Sequence, residues 1–506
     1  MLKYSPSPYV TWIKHLSEYE GGSCVMVEKD GGVEILVHPN HKPLFVPNSG
    51  NLYNTIDKED KTIQLYFYSL AWVVPILVQG DEAKVAAALS VVSNIFDIPA
   101  EDERTGAWNM LWDDHAVCER LCVIIELLLI DELRFRINWK KFEDHLEKTY
   151  GYIEKLVRSD RWLNNNHRLF HFLASFVYYH YKCNDEKVAE FASHISNFCH
   201  DLIDIETGFA REQCISYCFF DINVVEKVMK TLSGLSIRID FDVDDVHKKL
   251  LHHINAIAFP DDTLPASGDT PYGLKLSSFQ KKFNVSDSDL SGYWARLDKL
   301  GFYRGKSKDE KFQFLMLDHN AESGHGHYSP LHIDLWCSEF GPVLADAGGP
   351  YKYGDKQRYN WFRALMGHNS LAINDVGEYS HKMVDIVSDR SGVSGFIRYD
   401  NASHSRIASA YENEFIISEN IFSEKDWSIY YSFAPGVYVD ELNPAAFVLQ
   451  NEKGHKLLFS FSSESLPIVI KKTSRCIGHS LSVEGDSLHV SGGKGMMSYA
   501  ISIKSL

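Results

Sequence analysis

The sequence predicts an α-rich half followed by an all-β sandwich half, and three observations carry that prediction. From about residue 62 to 256, apolar residues recur at i, i+3, i+4 and i+7 in successive segments. Beyond about 290 the chain turns to short runs rich in β-branched and aromatic residues, punctuated by Gly, Asn and Asp. Between the two lies "FPDDTLPASGDTPYG" at 259–273, a loop-rich stretch suited to a linker. Successive amphipathic helices with short polar links must pack helix on helix, and successive alternating strands sheet on sheet.

In chain order, residues 1–60 form a mixed segment in which "SCVMVEKDGGVEILVHP" reads as a hairpin turning around Asp30-Gly31-Gly32. Residues 61–275 form the helical domain, with segments such as "DEAKVAAALSVVSNIF", "DDHAVCERLCVIIELLLI" and "EKVAEFASHISNFCHDLI". Residues 276–506 form the β domain, where "KFQFLMLDH", "WSIYYSFAPGVYV" and "LPIVIKKTS" carry strand texture.

With 45% hydrophobic and 24% charged residues in 506, the chain is globular, and its formal charge of -17 excludes broad phosphate-driven nucleic-acid binding. The same charge makes a highly sulfated polyanion a less favourable ligand unless a local basic cleft overrides it. The nine cysteines are odd in number and spread without zinc-type spacing, which points to a reduced compartment. No basic region leading into an apolar stretch opens the sequence, so the expectation is cytoplasmic, with periplasmic or secreted placement for a trimmed N-terminus. The apolar runs "LAWVVPILV" and "LCVIIELLLI" are too short to span a bilayer, so no membrane span is expected. Composition leaves self-association into a homo-oligomer open.

Several segments carry chemistry. "GHGHYSP" at 324–330 supplies His325 and His327, "PVLADAGG" supplies Asp346, and "FRALMGHNSLAI" supplies His368. Two neutral imidazoles and a carboxylate are a ligand set for zinc, although any one of them could be a hydrogen-bonded strand or turn residue. In the helical half, "RWLNNNHRLFHFL" contains Asn166 and His167, with His171 one turn on; Asn164 or Asn165 could cap the helix, and no H-E-x-x-H pattern supports a metal pair. "ETGFAREQCISYC" contains Arg211, Glu212 and Tyr217, and "MLWDDHAVCERL" contains Trp112, Asp113, Asp114 and His115 at a helix start.

These segments, in this order, resemble the heparinase II/III-like polysaccharide lyases, whose β domain shows an H-x-H segment, a strand, a "PLLVD-G" turn and then "HNT". The resemblance implies an incomplete α/α toroid followed by the sandwich, and one structural zinc held by His327, Asp346 and His368, with His325 left for the substrate. It further implies Asn166 and His167 as cleft residues and Tyr217 as catalytic acid and base, although the histidine that usually follows the tyrosine is Cys218 here. His115, Trp112, Arg211 and Arg363 are then candidate substrate-binding residues, the substrate an acidic, uronate-containing polysaccharide, and the reaction β-elimination. Two competing readings are a glycoside hydrolase using paired carboxylates, drawn from Asp113, Asp114 and Glu212, and a non-catalytic glycan-binding or assembly protein of the same fold.

Overall fold

The computed structural model describes residues 4–13, 16, 19, 25–39, 41–48, 52–56, 58–98, 110–159, 166–278, 297–319, 325–352, 355–373, 383–389, 392–478 and 481–506. The chain divides into two compact units, Met1–Leu202 with Asp221–Val243, and Ile203–Phe220 with Asp244–Leu506. The segment 203–220 that leads to Tyr217 is grouped with the unit that carries the large sheets. Helices in the N-terminal half and antiparallel sheets in the C-terminal half form the incomplete α/α toroid and β-sandwich of the sequence expectation.

The first unit opens on a three-stranded sheet, β1 (Met26–Lys29), β2 (Gly32–Ile35) and β3 (Leu44–Pro47), one strand more than the expected hairpin. Lys29 pairs with Gly32, so Asp30 and Gly31 make the turn, and Gly31 takes φ +83°, a left-handed value that glycine adopts without strain. Helices α1 (Leu52–Ile56), α2 (Lys61–Tyr68), α3 (Val73–Gln79), α4 (Glu82–Phe96), α5 (Asp114–Leu129), α6 (Trp139–Val157), α7 (His167–Tyr181), α8 (Asp185–Leu202) and α9 (Ile215–Gly234) follow, and α10 (Val243–Ile257) leads into the second unit. Side-chain caps start several of them: Asp60 on α2, Asp81 on α4, Asp113 on α5 and Asn138 on α6 each accept from a first-turn backbone N–H. Helix α5 is buried along nearly its whole length, including its charged residues Asp114, Glu119, Arg120 and Glu126, so its apolar residues are not confined to one stripe. Among the described residues no single helix is long and apolar enough to cross a membrane.

In the second unit, β4 (Phe302–Lys306), β5 (Phe312–Leu317), β6 (His332–Cys337) and β7 (Gly341–Leu344) form one antiparallel sheet. The short β8 (Leu371–Ile373) joins β13 (Trp427–Ser432), β17 (Ile468–Gly478) and β18 (Leu481–Gly492) in a second. An eight-stranded sheet runs β14 (Val437–Asn443), β15 (Ala446–Asn451), β16 (Lys456–Phe461), β19 (Gly495–Ser505), β12 (Glu414–Ser423), β11 (Ala402–Ala410), β10 (Gly392–Arg398) and β9 (Met383–Ser388). One continuous core, including Phe314 and Ile333, Tyr431 and Val490, and Ile417, Phe459 and Ile501, draws residues from all three sheets and makes the layers a sandwich.

That core contains an ion pair. His404 and Arg406 on β11 point inward at positions where alternation calls for apolar residues, and Arg406 stands directly opposite Glu419 of β12. Glu419 accepts from His404 Nε2 (2.7 Å), Arg406 Nε (2.8 Å) and the Tyr431 hydroxyl (2.8 Å). Burial pushes the Glu419 carboxyl up, but Arg406 and His404 more than offset this and bring it down to about 2. Arg406 also donates to the carbonyls of Leu331 and Asn369, which ties the large sheet to the loops leading into β6 and β8. Arg406→Leu should therefore lower unfolding free energy in denaturant melts by roughly 3–5 kcal/mol, the cost of stranding a buried carboxylate. A loss under about 1 kcal/mol would mean that Glu419 is not held as an ion.

Candidate active site and metal group

The metal group expected from sequence assembles in the second unit. His327 lies in the loop before β6, Asp346 just past β7, and His368 just before β8. All three are buried, and one ligand atom from each lies within 4.8 Å of the others. Asn369 fixes the last of them: its backbone N–H donates to His332 Nδ1 (2.8 Å), its amide nitrogen to the Ile333 carbonyl (2.9 Å), and its amide oxygen accepts from Ser432 N (2.7 Å). The His368 Nδ1 donates to Asp346 Oδ2 at 2.7 Å. His327 Nδ1 and His368 Nε2 are buried without a hydrogen-bond partner. Buried polar atoms ordinarily find partners, so two orphaned imidazole nitrogens beside a carboxylate fit a bound cation. Burial raises the Asp346 carboxyl, but His368 and His332 outweigh it and hold the group ionised, well below the ordinary range.

Asp269, which sequence reading left inside a linker, connects this group to the next. It is fully buried, and Arg358 grips it with two nitrogens, Nη2 to Oδ2 at 2.6 Å and Nη1 to Oδ1 at 3.1 Å. His327 Nε2 donates to Oδ1 (3.1 Å) and His325 Nδ1 to Oδ2 (2.9 Å). The two histidines of H-x-H thus meet opposite oxygens of one carboxylate. His325 in turn stacks face to face on the ring of Tyr217, centroids 3.4 Å apart and planes 14° from parallel, with Glu212 Oε2 3.9 Å from its Nε2. Tyr217 is half-buried in the first turn of α9. The next residue, Cys218, points inward and accepts the Ala210 N–H at Sγ (3.3 Å), so the position where a histidine was expected is part of the core. Arg363 donates to the carbonyl of Gly326, between the two histidines (3.3 Å), and Arg211 is exposed.

The first unit holds a separate constellation. Asn166 stands at the N-cap position of α7, but makes no capping bond: its amide nitrogen donates to Asp221 Oδ1 at 2.8 Å. Asn164 and Asn165, considered as caps, lie outside the described residues. His167 Nδ1 and His171 Nε2, one turn apart, both reach Asp114 Oδ2, at 2.7 and 3.0 Å. The i, i+4 spacing of these histidines thus serves a shared carboxylate. Asn166 is buried, whereas His167 keeps 29% of its side chain exposed. Burial lowers His167, but Asp114 overrides it and raises the imidazole; His171, more deeply enclosed, is lowered by burial. Burial also lifts Asp221 to about 7 and, with Asp114 beside it, Asp113 to about 6. His115 stacks on Phe170 and sits 3.4 Å from Glu119, while Trp112 packs under the cations of Arg120 and Lys148. Of the three carboxylates named for hydrolysis, Asp113 caps α5, Asp114 is held by two imidazoles, and Glu212 is buried with Oε2 3.9 Å from His325 Nε2.

Asp269, Arg358 and Asp221 were missed because their roles depend on partners 55 or more positions away.

Residues 291–469 match the family model described as heparinase II/III-like, C-terminal. No curated protein matches the sequence. Among solved structures, a heparinase III superimposes with a TM-score of 0.69 at 14% identity, covering 100% of this chain and 86% of that one. A mutant heparan sulfate lyase from Pedobacter heparinus gives 0.61 at 12% identity, covering 99% and 86%. A chondroitin AC lyase from Streptomyces coelicolor A3, solved with chondroitin sulphate, gives 0.51 at 8% identity, covering 99% and 80%. At these identities the likeness is one of fold.

Because Asp114 is what raises His167, that imidazole should titrate above the ordinary histidine range in NMR and fall in Asp114→Asn, while His171 titrates below the ordinary range in the unaltered protein. An unmoved His167 would contradict the assignment.

Proposed function

We propose that this chain, whose residues 291–469 match the heparinase II/III-like C-terminal family model, is a polysaccharide lyase that cleaves a uronate-containing polysaccharide by β-elimination. The observation that carries the reading is the stack of Tyr217 on His325, two positions before His327 of a buried His/Asp/His group and joined to it through Asp269.

In β-elimination a base removes the C5 proton of the uronate, a C4=C5 double bond forms, the C4–O4 bond breaks, and O4 leaves with a proton. The C5 proton is only weakly acidic, so donors must first neutralise the neighbouring carboxylate and then stabilise the charge that develops on it. Tyr217 serves as base toward C5 and as acid toward O4, one phenol doing both when proton and leaving group share a face. As an imidazolium, His325 donates from Nε2 to the substrate carboxylate while its Nδ1–H is held by Asp269. In the first unit, His167, whose cationic form Asp114 favours, and Asn166 are donors of the type that neutralises a carboxylate. Arg211, Arg363, Trp112 and His115 are assigned to binding the acidic chain, for which guanidinium forks and an aromatic face are suited.

Zinc is the metal that two imidazoles and a carboxylate suit, and at His327, Asp346 and His368 it would supply a structural clamp. The negative charge of the protein favours a uronate polymer of modest sulfation over the most sulfated ones. Arg363, which donates to the carbonyl of Gly326 next to His325, and Arg211, six positions before Tyr217 in the chain, are the cations assigned to binding it.

A screen of uronate polysaccharides should give products with the ultraviolet absorbance of a conjugated C4=C5 uronate, and Tyr217→Phe should reduce the rate by about 10²-fold or more. Cleavage that adds water and yields no such absorbance would favour the hydrolase, and unchanged turnover in Tyr217→Phe would remove the tyrosine from the mechanism. Metal analysis should find about one zinc per chain. His327→Ala should lower that content and His325→Ala should preserve it; the reverse pattern would defeat the division of the two histidines.

A further inference from the structure

Loop 267–270 is fastened to both members of the Tyr217–His325 pair. The Asp269 N–H donates to the carbonyl of His325 (2.9 Å), and the Asp269 carboxylate accepts from the His325 ring. On the other side, the hydroxyl of Ser216 donates to the Asp269 carbonyl (2.8 Å), and the Ser216 N–H donates to Thr270 Oγ1 (3.2 Å). Ser216 is the residue immediately before Tyr217, so one tetrapeptide holds the base of the tyrosine's turn and the ring stacked upon it. The loop is packed too closely to shift. Gly268 has φ +59°, and a Cβ there would press on the His325 carbonyl; a Cβ at Gly349 would collide with the Asp269 side chain. Arg358, itself buried, fills the remaining acceptor positions of the carboxylate.

We infer that Asp269 is a positioning residue for the reaction: its two oxygens fix His325 as protonated on Nδ1 and His327 as protonated on Nε2, thereby presenting His325 Nε2 beside Tyr217 and His327 Nδ1 to the metal. An imidazole offers two nitrogens, and which one carries the proton is decided by the hydrogen bond that the other groups impose. Without the carboxylate, His325 could rotate or exchange its proton, and the ring stacked on Tyr217 would present the wrong nitrogen to substrate in part of the population. Arg358 acts one step further out, keeping Asp269 ionised and aimed through a bidentate pair.

The kinetic part of this inference rests on the lyase reading; the protonation part does not. The test uses the zinc-loaded full chain with histidine ring nitrogens labelled, and compares the unaltered protein with Asp269→Asn, which keeps the shape and removes the charge and one acceptor. In the unaltered protein the ring-nitrogen shifts should show Nδ1 of His325 and Nε2 of His327 protonated. In Asp269→Asn both rings should move toward a mixture of tautomers, kcat should fall roughly 100-fold with KM changed far less, and zinc affinity should drop by roughly 10-fold. A lone pair on His325 Nδ1 in the unaltered protein overturns the inference, even if Asp269→Asn does not fold. Unchanged shifts or unchanged kcat in a folded Asp269→Asn protein overturn it as well. If the unaltered protein cleaves no uronate polymer, the lyase reading falls, and the ring-nitrogen shifts still decide whether Asp269 sets the two protonation states.

Discussion

The second unit is organised around one buried carboxylate. An ionised aspartate removed from water is strongly destabilising unless its oxygens are filled, and Asp269 fills them with a bidentate guanidinium and two imidazoles. Everything near it inherits geometry from that requirement. His327 must turn Nε2 toward Asp269, which leaves Nδ1 facing His368 and Asp346; His325 must turn Nδ1 toward it, which leaves the ring lying on Tyr217. Arg358 reaches the carboxylate from a short turn between Asp346 and His368, so the segment carrying the metal group is braced by the same contact.

The first unit solves a similar problem with different parts. Asp114 gathers His167 and His171 from successive turns of α7, and Asp221 takes the amide of Asn166 that would otherwise cap the same helix. In each case a buried acid decides how a neighbouring side chain is oriented, and the acids respond oppositely to their surroundings. Asp114, flanked by imidazoles, is held low; Asp221, with an amide as its partner, is carried up by burial. The difference follows from charge: a cation nearby outweighs desolvation, and a neutral donor does not.

Much of the fold was legible because it depends on local periodicity. The helices α4 to α9 and the strands beyond residue 300 follow the 3.6 and 2.0 repeats of their apolar residues. His325, His327, Asp346 and His368 were legible as ligand types on separate turns, and the choice of His327, Asp346 and His368 among them followed from the family resemblance. Asp269 was not, because a Gly-Asp-Thr-Pro stretch is what an ordinary turn looks like, and its partners stand 56, 58 and 89 positions away. The inward Arg406 of β11 was hidden for the same reason, since alternation marks that position as apolar and only Glu419 across the ladder explains the charge. Asn166 was read as a cleft residue and its neighbours as caps; it occupies the cap position yet bonds Asp221, a choice that no helix-start rule predicts.

The central claim is that the two histidines of "GHGHYSP" have separate duties imposed by one aspartate. Anomalous diffraction at the zinc edge, from crystals of the zinc-loaded full chain, tests it most directly. The account predicts one peak at bonding distance from His327 Nδ1, Asp346 and His368, with His325 still bonded to Asp269 and stacked on Tyr217. A peak bound by both His325 and His327 would contradict it.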